Sequence, residues 1–357
     1  MLIGHIIAAI ESLARPCLQE PWDNSGLQVG NAGEECTGVL LCVDCTEAVI
    51  AEATEKGCNL VVSHHPLIFK GLKHLTGSTV SERCVAMALR NGIAVYSAHT
   101  SLDSAEGGVS YALACSLGAT PERALKPVER SLVKLSIYAP RHKRDDILAA
   151  IEDGITARTV TGDDTQKFSQ EISDDESGIP TMNVTHTPLT RIEVVIPQSQ
   201  LGEARRVLNG MSDEVSYTTL RLEESDLSVG LGVVANLDTP EEPTTFIRRV
   251  KEATGAPVVR CNSLPPEGTA IRRIAVCGGA GGEFIADAVR AGADAYVTAD
   301  VRYHDFGEWA GRILLIDAGH YETESCTKSI FMQLIQEKFA NFAVYISATE
   351  QNPINYL

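Results

Sequence analysis

The sequence predicts an α/β protein: a core of mixed or parallel sheets flanked by helices, built from two separated stretches, with a smaller α+β unit inserted between them. Three observations predict it. Short apolar runs alternate with helical patterns across residues 37–117 and again across 227–339, a spacing that builds parallel strands with helices on both faces. Between these stretches, two matching strand-then-helix patterns break the alternation. Histidines and carboxylates then gather where the apolar runs stop, at the strand ends where such sheets collect ligand groups.

In order, Leu2 to Leu13 has apolar residues at helical spacing and reads as an amphipathic first helix. The turn-rich Glu20-Pro21-Trp22-Asp23-Asn24-Ser25-Gly26-Leu27-Gln28-Val29-Gly30 comes next, in which Asp23 and Asn24 are read first as turn formers. Thr37 to Val43 is a strand, Thr46 to Lys56 a helix and Asn59 to Val62 a second strand. Val80 to Asn91 is a helix, Ile93 to Ser97 a third strand and Val109 to Leu117 another helix.

The pattern then changes. Leu132 to Pro140 and Leu189 to Pro197 are strands alike in length, in a basic third residue (Lys134, Arg191) and in a terminal proline, and helices come after them at Arg144 to Ile151 and Leu201 to Leu208. Closed by a strand from Val215 to Leu222, this weak duplication predicts a ferredoxin-like unit over 128–226. Asp163 to Pro188 is polar and acidic and reads as a long mobile loop. His142 and His186 stand alone there. Residues 1–127 and 227–357 form the core domain.

Alternation resumes with a strand from Leu227 to Val234, a helix from Thr244 to Thr254 and a strand from Ile274 to Cys277. Gly278-Gly279-Ala280-Gly281-Gly282 fits a phosphate cradle or a tight strand-to-helix turn equally well. A helix over Glu283 to Ala291, strands at Ala295 to Thr298 and Ile313 to Ile316, and one helix from Tyr321 to Phe339 complete the chain.

Composition excludes several classes. A chain of 357 residues can hold two domains, each with its own core. A net charge of -17, with no cluster of Lys and Arg, argues against nucleic acid. The one tight cysteine pair, Cys42-Val43-Asp44-Cys45, ends an apolar run and lacks the second pair that a zinc site needs. Buried reduced thiols are expected, in keeping with a cytoplasmic location. Met1 to Leu13 has neither the basic start of a signal peptide nor the length of a membrane span.

The chemistry centres on Ser63-His64-His65-Pro66. Adjacent side chains of a regular strand point to opposite faces, so a shared role requires the backbone to leave the strand here, which Pro66 favours. Alone, such a pair is more often one packed ring and one solvated ring. Other strand ends change that reading: His99 with Asp103, His304, and His320 with Glu324 one helical turn later, so that five of nine histidines fall in these places. Imidazole and carboxylate together suit Zn, Fe, Mn, Co or Ni. They are too many for one tetrahedral ion, whereas two ions about 3.5–4 Å apart, sharing a carboxylate, use them all.

As a set, Glu20 to Gly30, Ser-His-His-Pro (63–66), His-Thr-Ser-Leu-Asp (99–103), Asp300 with Tyr303-His304, and Gly-His-Tyr-Glu-Thr-Glu (319–324) resemble the Nif-three-like dinuclear metal proteins, catalogued as GTP cyclohydrolase I type 2 homologues. The resemblance covers both outer stretches, and 128–226 resembles the PII/CutA-like domain of longer members. It implies His64, His65, Asp103, His320 and Glu324 as ligands of two divalent ions, Zn, Fe or Mn, in a toroidal hexamer whose sites face an inner cavity. Where the family often has glycine before Asp300, this chain has Ala299.

The expected activity is metal-dependent hydrolysis of a phosphoester, nucleotide or cyclic amide, with His99 and His304, not needed as ligands, orienting groups or carrying protons. The alternative is a non-catalytic metal-binding or regulatory adaptor in which the inserted domain senses a small ligand or partner.

Overall fold

The computed structural model describes residues 1–174, 180–211 and 213–357. Its contacts divide the chain into two compact units, Met1–Pro127 with Leu227–Leu357, and Val128–Asp226.

The larger unit is a mixed α/β structure with two sheets. The first has the strand order Gly26–Val29, Ala94–Ser97, Leu60–Ser63, Val39–Cys42, Val344–Ile346. Its three central strands are buried throughout, because helices cover both faces: Ile3–Glu11 and Thr327–Lys338 on one, Glu47–Glu55 and Val80–Arg90 on the other. This double cover is why they read as continuous apolar runs rather than alternations. Thr46 and Thr79 start the second pair of helices by accepting hydrogen bonds from the amides of Val49 and Glu82. Cys42 is in register with Ser63, and Ser63 with Ser97, so three parallel strands end at one level.

The second sheet has the order Arg260–Cys261, Leu314–Asp317, Ala295–Ala299, Ile271–Ala280, Gly230–Glu241, Ala119–Pro127. Only the pairings among 271–280, 295–299 and 314–317 are parallel. Both sheets are therefore mixed, and the antiparallel edge strands are invisible in the sequence because Gly26–Val29 and Ala119–Pro127 are short or interrupted by Pro, Glu and Arg. The strand expected from Leu227 begins at Gly230 and extends to Glu241. The single helix expected from Tyr321 to Phe339 is two, His320–Glu324 and Thr327–Lys338.

The smaller unit runs strand Leu132–Ala139, helix Arg144–Gly154, strands Thr159–Asp174 and Pro180–Pro197, helix Leu201–Asn209 and strand Ser216–Arg221. Val133, Leu135 and Ile137 alternate onto a core shared with Ile192, Val194, Ile196 and both helices. On the other face Lys134 pairs with Glu193 at 3.2 Å.

The loop expected over 163–188 is not a loop. Thr159–Asp174 and Pro180–Pro197 pair antiparallel from Thr159 opposite Val195 to Asp174 opposite Pro180, and only residues 175–179 lie outside the described residues. Residues such as Thr161, Thr165, Ile172, Thr181, Val184 and Thr185 favour extended backbone by β-branching. That signal is independent of hydropathy, which is low here. His142 is exposed, and the side chain of His186 lies outside the described residues.

Glu52 fastens the C-terminal segment to the helix Glu47–Glu55. Its carboxylate accepts from the Ser347 hydroxyl (2.6 Å), the Ala348 amide (3.0 Å), and the Thr349 amide (3.1 Å) and hydroxyl (2.8 Å). Burial opposes the charge, but these donors outweigh it and hold the carboxyl at about 2. A depressed carboxyl stabilises the fold above its unfolded value near 4.5 and loses that contribution as pH falls toward 2. Glu52→Gln is therefore expected to lower stability at pH 7 by about 1.5–3 kcal/mol. In thermal melts the two proteins should converge as pH falls from about 4.5 to 2; a gap that stays constant over that range would contradict this role.

Candidate metal centre

The centre lies where the ends of both sheets of the larger unit meet. After Ser63 the backbone leaves the strand, and the amides of His64 and His65 donate to the carbonyls of Cys42 (3.1 Å) and Val43 (2.9 Å). The Ser63 and Ser97 hydroxyls both donate to the His65 carbonyl, at 2.8 and 3.2 Å. So fixed, the two imidazoles sit with ring centroids 5.1 Å apart rather than on opposite faces. Asp103 arrives on the short helix Thr100–Asp103, and His320 and Glu324 share one face of the helix His320–Glu324.

Two sets of ligand atoms converge, and Glu324 belongs to both. On one side His64 Nε2 stands 3.6 Å from Asp103 Oδ1 and 3.6 Å from Glu324 Oε1. On the other, Glu324 Oε2 lies 2.9 Å from His65 Nε2 and 3.2 Å from His320 Nε2, and the two nitrogens are 3.4 Å apart. An ion held at about 2.0–2.1 Å by each ligand in tetrahedral geometry spaces its ligands about 3.4 Å apart. His64 Nε2, Asp103 Oδ1 and Glu324 Oε2 are all buried without a well-directed hydrogen bond. Buried polar atoms in a native fold are paired with protein, water or an ion, so the donor set fits divalent cations. His99 also brings a ring nitrogen within 4.8 Å of the ligand nitrogens of His64 and His65.

Each imidazole is held from behind. His64 Nδ1 faces the Ala98 carbonyl at 3.2 Å, His65 Nδ1 faces Asp44 at 2.9 Å, His320 Nδ1 faces Asp300 at 2.6 Å and His99 Nδ1 faces Asp23 at 2.8 Å. Such partners place the proton on Nδ1 and leave Nε2 free to bind metal. Asp300 has φ 53, a left-handed conformation uncommon outside glycine, and this turn aims its carboxylate at His320.

The electrostatics express a shortage of positive charge. Burial disfavours a charged His65, yet Asp44 and Glu324 outweigh it and hold the imidazole up at about 10. Burial likewise opposes the charge on His320, and Glu324 with Asp300 raises it to about 9. Burial pushes the Asp103 carboxyl up to about 7 against the opposing pull of His64. Cys277 and Cys326 are both pushed up to about 12, first by burial and then by Asp103 and Glu324. They remain thiols at neutral pH, which leaves a nitrogen and oxygen donor set.

The Duf34/NIF3 (NGG1p interacting factor 3) family profile matches residues 1–353. The chain belongs to this family. Among NIF3 relatives, "GTP cyclohydrolase 1 type 2 homolog" of Bacillus subtilis (strain 168) is 30% identical, covering 99% of this chain and 98% of its own length. The Mycobacterium tuberculosis (strain ATCC 25618 / H37Rv) protein of the same name is 30% identical, over 90% of this chain and 88% of its own. A solved Bacillus cereus protein related to NIF3 superposes with a TM-score of 0.84 at 26% identity, covering 100% of this chain and 99% of that one.

Of the residues singled out in this NIF3 chain, His64, His65, His99, Asp103, His320 and Glu324 come together. The structure does not bring His304 into contact with them. The turn at Asp300 starts the helix Tyr303–Glu308, which leaves His304 exposed on an open groove with Arg260 and Phe306. Asp23 is more than a turn former, since its carboxylate accepts from His99, the Thr100 amide and the Thr100 hydroxyl. The glycine stretch contains the tight strand-to-helix turn, since the strand runs to Ala280 and a helical turn starts at Gly282 and continues into the helix Ile285–Arg290, and within the strand Gly279 packs directly under Glu324.

Asp44 escapes sequence reasoning because the cysteines around it draw attention to sulfur; its place one residue beyond a buried strand run is the available signal. Asp44→Asn and Asp300→Asn are each expected to weaken metal affinity about 10–100-fold, the usual cost of removing such a partner. Competition with a chromophoric chelator reads this out, and an unchanged affinity in both variants would remove them from the site.

Proposed function

We propose that the larger unit binds two divalent ions and hydrolyses a phosphoester, nucleotide or cyclic amide. The observation that carries this reading is Glu324, whose two carboxylate oxygens face separate donor sets, His64 with Asp103 and His65 with His320. When bound, two such ions supply Lewis acidity toward water and toward the attacked centre.

The remaining work falls to the chain. Ala98, Asp44 and Asp300 fix the Nδ1 protons of His64, His65 and His320. In this reading the ions take His64 with Asp103 and His65 with His320, joined by Glu324, rather than the His64, His65 and His99 nitrogens that also approach within 4.8 Å. Asp23 faces His99 Nδ1, so the His99 Nε2 is available to accept a proton from an attacking water and return it to a leaving group. Strong hydrogen bonds to His99 and Thr100 outweigh burial and keep the Asp23 carboxyl well below the usual carboxylate range. It is thus a fixed anion for an imidazolium formed in turnover. The name shared by the relatives is consistent with a cyclic amide or nucleotide.

Metal-loaded protein should turn over some member of a phosphoester, nucleotide and cyclic amide panel, and His64→Ala should lower that rate at least about 100-fold, as loss of one ligand to a catalytic ion implies. Turnover that survives the substitution would assign the activity to another protein.

The smaller unit supports a ferredoxin-like reading through its order of strands and helices and its sheet order, in which the first and third strands are central. The regulatory alternative places ligand sensing there. Deleting 128–226 and finding the binding of every candidate ligand unchanged would argue against it. The assembly we propose is the toroidal hexamer, which light scattering would read as six times the 38.3 kDa chain.

A further inference from the structure

We propose that Trp22 and Phe69 form a platform for a planar aromatic ring of the substrate, one imidazole away from the metal ligands. The proposal rests on the hydrolytic reading only for where the reacting group lies. Trp22 is 58% and Phe69 45% exposed, although large aromatic side chains are ordinarily well buried. Their ring centroids are 6.1 Å apart at 55°. Each also meets the His99 ring nearly edge-on, Trp22 at 6.0 Å and Phe69 at 6.3 Å. His99 in turn lies 5.4 Å from His64 and 5.5 Å from His65. A row of rings thus leads from solvent to the donor set.

The platform is built rather than incidental. The Asn24 side chain donates to the Ile68 carbonyl, and Gln28 accepts from the Ile68 amide while donating to the Asn24 carbonyl. These amides staple the segment bearing Phe69 to the one bearing Trp22, and Asp23, between them, holds His99. Ring faces so fixed stack a flat ring at little cost in lost freedom. Among the described contacts of His64, His65, His99, Asp103, His320 and Glu324, none is with Lys or Arg. The exposed Trp22 and Phe69 faces are placed to meet the part of the substrate that does not react. The class indicated is a planar ring carrying its hydrolysable group about one ring-length away.

Trp22 reports on this directly, since the chain has two tryptophans and Trp309→Phe leaves Trp22 alone. In metal-loaded full chain, GMP, UMP and phenyl phosphate are titrated against ribose phosphate, which lacks the ring. At least one ring-bearing probe should quench Trp22 and bind about ten-fold or more tightly than ribose phosphate. Phe69→Leu, followed by the same emission, and Trp22→Leu, followed by calorimetry, should each cut that preference about five-fold or more, with metal content unchanged. Ring preference without turnover would sink the hydrolytic reading and leave this one standing. Absence of quenching by all three probes, or equal affinity for ribose phosphate, would overturn it. So would a Trp22→Leu protein that changes mass by light scattering while keeping its ring preference, which would assign the aromatic pair to a contact between copies.

Discussion

Replacing Gly279 with alanine is expected to empty the proposed metal centre while leaving most of the fold in place. Gly279 has φ +63, and a methyl group there would land on the Glu324 carboxylate, with His320 Nε2 3.4 Å away. The backbone cannot give way easily, because the Gly279 amide donates to the Thr323 hydroxyl at 3.0 Å and its carbonyl accepts from Thr298 at 3.1 Å. Glu324 must move instead, and it is the residue both donor sets share. Alanine in left-handed backbone costs about 1–2 kcal/mol of stability. The loss of metal affinity should reach or exceed the upper end of the ~10–100-fold range for a disturbed partner residue. Elemental analysis beside a thermal melt separates the two. A variant with normal metal content and a lower melting temperature would show that Gly279 serves the fold alone.

Glu324→Gln should be the most damaging change that keeps side-chain size. The carboxylate is almost fully buried, which disfavours its charge, but attraction to His64 and the close approach of the His320 and His65 imidazoles outweigh burial and hold it charged. The amide loses that charge at both donor sets. If two ions are held as proposed, both should be lost together, each bound at least about 100-fold more weakly. Asp103→Asn is the informative contrast, because among the described contacts within 4 Å Asp103 meets the imidazole of His64 and not that of His65 or His320. It should deplete one ion and spare the other. Equal depletion in the two variants, or one ion retained in Glu324→Gln, would count against a shared carboxylate.

Much of this centre is legible in the sequence because it obeys a local rule: apolar strands buried in their sheets stop abruptly, and the residues after each stop lie at the end of the first or the second sheet where the two meet. Ser63, Ala98 and Ala318 each come shortly before such a residue or pair. The parts that are not legible depend on pairings distant in the chain. Asp44 acquires meaning only when Cys42 is level with Ser63, and Asp23 only when its loop closes on His99 across 76 residues. His304 misleads because it too comes after a strand end, and the positive φ at Asp300 diverts the chain before it. The glycines suggest a phosphate cradle or a turn, and the turn is present at Gly281, but that the missing side chain of Gly279 makes room for Glu324 depends on the helix His320–Glu324 much further along the chain. In the smaller unit, β-branching rather than hydropathy marks the paired segments 159–174 and 180–188, whereas 189–197 alternates onto the core.

Anomalous-scattering diffraction from crystals grown with manganese or zinc tests the central claim most directly. Two peaks are expected in each chain, one bonded to His64 and Asp103, the other to His65 and His320, with Glu324 bonded to both. A single peak, or metal bound elsewhere while Glu324 contacts none, would contradict it.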